Sequence, residues 1–245
     1  MNSTVRPRTN QGAFTLVESL VVVAIIGVLA ALLLPALAGS QKRGQRIQCV
    51  SNLRQDGISL QGFVADRHVY PLLSNRAFSD DNGGKDINSW VDALGGHHYQ
   101  AAGVWRCPAA QFPADHPAFP YGYNAWGSSS SALLSDLGLA GHTIPVPGLR
   151  LSLAPPIREP EVLSPSGMMA IGDSFYGDII LSRSILRQLQ SQGIGYAASR
   201  HQGRANVVFC DGHVESPTFK SVFVDADDVS LVRWNRDHQP HRDRL

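Results

Sequence analysis

Apolar positions crowd the start of the chain. From Phe14 to Ala38 the sequence reads FTLVESLVVVAIIGVLAALLLPALA, with Glu18 as its one charged side chain. As a helix rising 1.5 Å per residue this run is about 37 Å long, enough to cross a hydrocarbon core of roughly 30 Å. Beyond Ser40 the composition changes but the helical period does not. Ile47, Val50, Leu53, Gly57, Leu60 and Val64 recur at steps of three and four, the spacing of an amphipathic helix with one face free to lie on a sheet. Together the two stretches predict one helix from about Phe14 to about Asp66. Gly44, Gly57 and Gly62 each weaken it by about 1 kcal/mol relative to alanine.

After the helix the pattern becomes short and punctuated. Prolines at 145, 147, 155, 156, 160 and 165 predict an extended surface connection. Met168–Gly172 reads as a short buried strand. Leu181, Ile185, Leu186 and Leu189 are spaced for a short helix that ends at Gly193. Ala205–Cys210, Asp211-Gly212 and His213–Glu215 give the clearest strand signal, a hairpin in which both turn residues take positive φ. The fold class expected is α+β, a long N-terminal helix packed on an antiparallel β-sheet head.

Lys and Arg number 21 against 20 Asp and Glu, so the formal net charge is +1. That balance excludes nucleic-acid binding driven by bulk charge. Charged residues make up 17% of the chain, below the roughly 25% of an ordinary soluble domain. Part of the deficit lies in the 28 residues from Phe14 to Gln41, which carry only Glu18. Before them stand Arg6 and Arg8 with no acid, and after them Lys42 and Arg43. The leading arginines favour a cytoplasmic N-terminus and an exported head, against a weaker pull the other way from Lys42 and Arg43.

The apolar run is too long for a secretory signal peptide, whose apolar region spans 7–15 residues. A plain signal anchor fits the length but leaves Glu18 unexplained. An ionised group in hydrocarbon costs about 2.5–3.5 kcal/mol on insertion scales. A cationic amine four residues earlier would offset that cost, and it exists only if the chain is cut just before Phe14.

Gly12-Ala13-Phe14-Thr15-Leu16-Val17-Glu18 and the run behind it resemble the prepilin motif of type IV pilins and type II secretion pseudopilins. The resemblance implies that a prepilin peptidase cleaves between Ala13 and Phe14 and methylates the Phe14 amine. It also implies that Glu18, fifth from the cut, serves assembly. The family usually has Gly before the cut, where this chain has Ala13. Pro35 matches the helix-bending proline of that family. A second set of residues is similar to a bacterial group of prepilin-like proteins carrying an H-x9-DG element: His201 with Asp211 and Gly212, Cys49–Gln55, Arg106–Pro108 and Val232–Asp237. The second resemblance implies no catalytic activity, and the first implies that calcium can be held in a loop of the head.

The residues leave several site readings open. His201, Cys210, Asp211 and His213 are metal-ligand types at close spacing, against the alternative of a simple turn with His201 bonded to the hairpin backbone. Asp225, Asp227 and Asp228 are calcium candidates, against an acidic turn capping the next segment. Of three cysteines, Cys49 and Cys107 would tie helix to head in an oxidising compartment. The odd Cys210 leaves the pairing open. Gly172-Asp173-Ser174 with His201 holds the ingredients of an exported hydrolase, and Trp90, Trp105, Tyr121, Tyr123 and Trp126 those of a glycan-binding adhesin head.

The organisation expected is a cleaved leader over 1–13, a transmembrane half-helix over 14–40, an amphipathic half-helix over 41–66, and a head over 67–245 carrying the H-x9-DG element at 201–212. The function expected is a structural, non-enzymatic subunit. A prepilin peptidase processes it, and it assembles with other pilin or pseudopilin subunits into a pseudopilus or pilus-like filament. It would sit in the bacterial inner membrane with its head in the periplasm.

Overall fold

In a computed structural model of the chain, residues 15–73, 90–95, 103–110, 120–129, 137–139, 155–174 and 200–245 are described. Ala13, Phe14, the segment 181–192 and residues 145–154 of the proline-rich connection lie outside them. Two compact units divide the chain, residues 1–41 and 42–245. Helix α1, Leu16–Arg67, begins in the first and ends in the second.

Between Leu20 and Ala38 helix α1 is apolar on all sides. Leu16, Val17, Leu20, Val23, Ile26, Leu29, Leu33 and Leu37 are all exposed, so no single face is reserved for a core. Thr15 starts the helix. Its hydroxyl accepts the Glu18 amide, while the Glu18 carboxylate accepts the Thr15 amide at 2.8 Å. This reciprocal pair is a capping box, satisfying two N–H groups that no helical carbonyl reaches.

In the second unit the buried row of α1 is Cys49, Asn52, Leu53, Asp56, Gly57, Leu60 and Val64. Ile47, expected on this face, is instead 70% exposed, because burial begins only where Cys49 is tied to the head. The helix stops at Arg67. His68 then takes a left-handed conformation, and Val69 and Tyr70 pair with Arg158 and Ile157.

Four antiparallel strands form one sheet in the order β1 (Tyr121–Tyr123), β2 (Met169–Asp173), β3 (Val207–Phe209) and β4 (Val214–Glu215). Both faces are covered. Helix α1 and Trp90 of helix α2 (Trp90–Ala93) share one core with Tyr121, Tyr123, Ile171, Val208 and Cys210. On the opposite face Met169, Val207 and Phe209 meet Phe219, Val222 and Phe223 of helix α3 (Phe219–Phe223) together with Trp234. Val207 to Cys210 therefore alternate between two cores, which is why the stretch is continuously apolar rather than alternating with polar residues. A bulge between Met169 and Ile171 turns both Ala170 and Ile171 toward the helix side.

The hairpin forms, but not with the turn expected. Only Gly212 has positive φ, +85°, and its amide donates to the Phe209 carbonyl. The Phe209–His213 pair closes a three-residue loop, and a loop of that length needs one left-handed residue rather than two.

Candidate functional site

The hairpin turn is docked on α1. A β-carbon on Gly57 would stand 2.7 Å from the Gly212 carbonyl oxygen, so only glycine fits where helix backbone and turn backbone meet. Gln61 Nε2 donates to the Cys210 carbonyl and fixes the same seam. The two ends of the H-x9-DG element thus do different work. Asp211-Gly212 seats the turn on the helix, while His201 lies elsewhere in the core.

His201 Nε2 is 3.4 Å from Asp173 Oδ2 and 3.4 Å from Cys107 Sγ, with its side chain fully buried. Its expected bond to the hairpin backbone is not made, because Asp173, at the end of β2, offers a charged acceptor there. Asp173 also accepts the Asn206 amide at 2.7 Å and forms a 3.3 Å ion pair with Arg200 Nη2. Burial raises its pKa. The Arg200 guanidinium, His201 and the Asn206 amide outweigh that and hold the carboxyl below its usual range.

Cys107 is disulfide-bonded to Cys49 on α1, with 5.2 Å between their α-carbons. Asn52, one turn along, donates to the Arg106 carbonyl at 2.8 Å. The segments Cys49–Gln55 and Arg106–Pro108 thereby meet as one clasp. The Val232–Asp237 segment is held in the opposite core. There Asn124 Nδ2 donates to the carbonyls of Met169 and Trp234, and Trp234 Nε1 donates to Val222.

The metal grouping drawn from the hairpin does not assemble. Cys210 turns inward beside the Tyr70 hydroxyl, and burial pushes its thiol up. His213 turns outward, 2.5 Å from Asp211 Oδ1 and stacked on Phe209. The three acidic candidates have separate partners. Asp225 pairs with Lys220, Asp227 caps helix α4 (Asp228–Leu231) through the Ser230 amide, and Asp228 pairs with Arg242 at 2.8 Å.

His201 faces Asp173 rather than Ser174, and no hydrogen bond joins Ser174 to His201 among the described residues, so a hydrolytic triad is not formed. Trp90, Trp105, Tyr121 and Tyr123 are buried, with Trp90 stacked on Tyr123 at 5.5 Å; they fill the core and offer no platform to a sugar.

Asp56 was not singled out by the sequence reading. It is 1% exposed, and neither carboxylate oxygen has a hydrogen-bond partner among the described residues. Burial pushes its pKa up to about 8. The signal was available: Asp56 stands three residues after Leu53 and four before Leu60, inside the apolar row.

The family described as the prokaryotic N-terminal methylation motif matches residues 8–34. Type II secretion system core protein G of Escherichia coli K12 is 37% identical over 69 residues, covering 28% of this chain and 48% of that protein. Type IV major pilin protein PilA of Myxococcus xanthus is 30% identical over 118 residues, covering 47% of this chain and 53% of that one. Type II secretion system core protein G of Pectobacterium carotovorum is 38% identical over 61 residues, 25% of this chain and 39% of its own length. The chain thus spans about half or less of the length of these relatives. No solved structure matches it significantly. A methylation motif heading a long apolar helix, with a four-stranded antiparallel sheet behind it, defines an α+β prepilin-like or pseudopilin-like protein.

Proposed function

We propose that this chain is a filament subunit, made as a precursor, cut between Ala13 and Phe14, methylated on Phe14 and assembled helix to helix with other pilin-type subunits. The observation that carries the reading is the methylation motif over residues 8–34 at the head of an apolar helix exposed on every side. Such a surface is stable only in hydrocarbon or against other apolar helices.

Before assembly the helix rests in the inner membrane. Arg6 and Arg8 stay in the cytoplasm, and the head reaches the periplasm, where the Cys49–Cys107 clasp persists. Pro35 has no N–H for the Ala31 carbonyl, which is affordable only where a neighbouring group re-satisfies it. Glu18 has two roles in sequence. In the precursor its carboxylate closes the capping box with Thr15. After cleavage it meets the methylated amine of Phe14, its own or a neighbour's, and neutralises a charge in the packed helices.

The experiment is assembly in a strain carrying the secretion or pilus machinery. Glu18→Ala is expected to insert and be cleaved but to give no sheared filament. Wild-type filament yield from that variant would refute the role of Glu18.

A further inference from the structure

Cys49 Sγ, Cys107 Sγ and His201 Nε2 all lie within 4.8 Å of one another and all three residues are buried. A carboxylate oxygen, Asp173 Oδ2, stands 3.4 Å from the same imidazole nitrogen. We propose that when the disulfide is reduced these four side chains form a tetrahedral Zn2+ site, so that one clasp between α1 and the head is closed by a covalent bond in oxidising surroundings and by a metal ion in reducing ones.

Geometry carries the inference. Zn–S bonds of about 2.3 Å and Zn–N or Zn–O bonds of about 2.0–2.2 Å at tetrahedral angles put sulfur and imidazole nitrogen about 3.6 Å apart, and nitrogen and carboxylate oxygen about 3.4 Å apart. The distances here are 3.4 Å from His201 Nε2 to Cys107 Sγ and 3.4 Å to Asp173 Oδ2. The two sulfurs must part from bonded contact to about 3.8 Å by side-chain rotation over α-carbons 5.2 Å apart, and in doing so must approach Asp173 Oδ2, which lies outside the cluster of the other three ligand atoms.

Charge also balances. Two thiolates and a carboxylate on Zn2+ leave one negative charge, and Arg200, 3.3 Å from Asp173 Oδ1, cancels it in the buried site. The Asn206 amide already holds Asp173 Oδ2 in place, the outer-sphere support that metal ligands need. His201 Nδ1, by contrast, is buried without a hydrogen-bond partner among the described residues. Loss of such a partner typically weakens metal binding 10–100-fold, so the affinity belongs below that of dedicated structural zinc sites.

The chemistry closes without a hidden reagent. A dithiol reductant gives two electrons and two protons to the Cys49–Cys107 bond, becomes a disulfide itself, and leaves two thiols. Zn2+ then takes both sulfurs as thiolates and releases their two protons to solvent. The imidazole binds through Nε2, its proton passing to Nδ1.

The test uses the full chain in detergent micelles, reduced with a phosphine, with Co2+ as spectroscopic probe and Zn2+ as competitor. One equivalent of Co2+ should give the visible bands of a tetrahedral ion and a thiolate charge-transfer band, both abolished by Zn2+ and absent from the oxidised chain. His201→Ala should weaken Co2+ binding at least tenfold, while Cys210→Ser should leave it unchanged. A measurement on the wild-type chain guards against misfolded variants: Zn2+ should protect Cys49 and Cys107 from alkylation. No tetrahedral Co2+ spectrum in the reduced chain, unprotected cysteines, or full affinity after His201→Ala would overturn the proposal.

Discussion

Asp56 is a carboxylate placed where the head can least accommodate a charge, and replacing it with the isosteric amide should reveal its cost. Its pKa is about 8 in the folded chain and near 3.8 in the unfolded one. Because the folded value is the higher, the stability tied to this group is fully present below pH 3.8 and is lost as pH rises toward 8. Each pH unit in that window is worth 1.36 kcal/mol, so the loss between pH 4 and pH 7 is about 4 kcal/mol. The groups around it do not relieve the charge. Asn52 lies one turn back on α1, Tyr121 reaches over from β1, and the Asp173–Arg200 pair beyond Tyr121 is already balanced.

Asp56→Asn removes the titration and adds a fixed cost for a buried amide, about 1–3 kcal/mol at every pH. The comparison that matters is therefore the wild-type-to-variant gap in unfolding free energy at pH 7 minus the same gap at pH 4, in which the fixed cost cancels. Urea unfolding of the full chain in detergent micelles reports it through the fluorescence of the buried Trp90 and Trp234. The variant should gain about 4 kcal/mol on wild type between the two pH values. A gap that stays constant within about 1 kcal/mol would refute the reasoning and show that Asp56 finds a partner or water when folded.

Three further outcomes follow from the same seam and from the helix start. Gly57→Ala should cost about 1–3 kcal/mol in the same unfolding assay, since its methyl group would press on the Gly212 carbonyl and backbone cannot rotate away; an unchanged midpoint would mean that turn and helix are not in close contact. Replacing Cys49 and Cys107 together with serine should cost about 4 kcal/mol in a thermal or urea melt under oxidising conditions, from the loop closed by a sequence separation of 58; equal stability of the double variant would remove the clasp from the account. Glu18→Gln keeps an acceptor for the Thr15 amide but loses the charge, so it should start the helix normally and still fail to assemble, as scored by sheared filament yield. Wild-type yield would assign Glu18 to capping alone.

The long helix was legible because its signal is strong and local: an apolar run followed by spacings of three and four. The hairpin was legible from Asp211-Gly212, although its turn differed. Sequence gives the glycine, but loop length is set by which residues pair, and Phe209 pairs with His213. Ile47 was misplaced because period alone does not say where a helix first meets its partner. The surroundings of His201 were illegible for a different reason. Asp173, Arg200, Cys107 and His201 come from separate segments, and only tertiary packing brings them together. Thr15-Leu16-Val17-Glu18 was a capping box in plain view, obscured by reading Glu18 only as a charge in the membrane.

The central claim is that this chain is a processed, pilin-type subunit, and the mature N-terminus tests it most directly. Mass spectrometry of the chain recovered from cells with a prepilin peptidase should find thirteen residues gone and an N-methylated Phe14 as the first residue. An intact Met1 start, or a mature terminus anywhere other than Phe14, would contradict it.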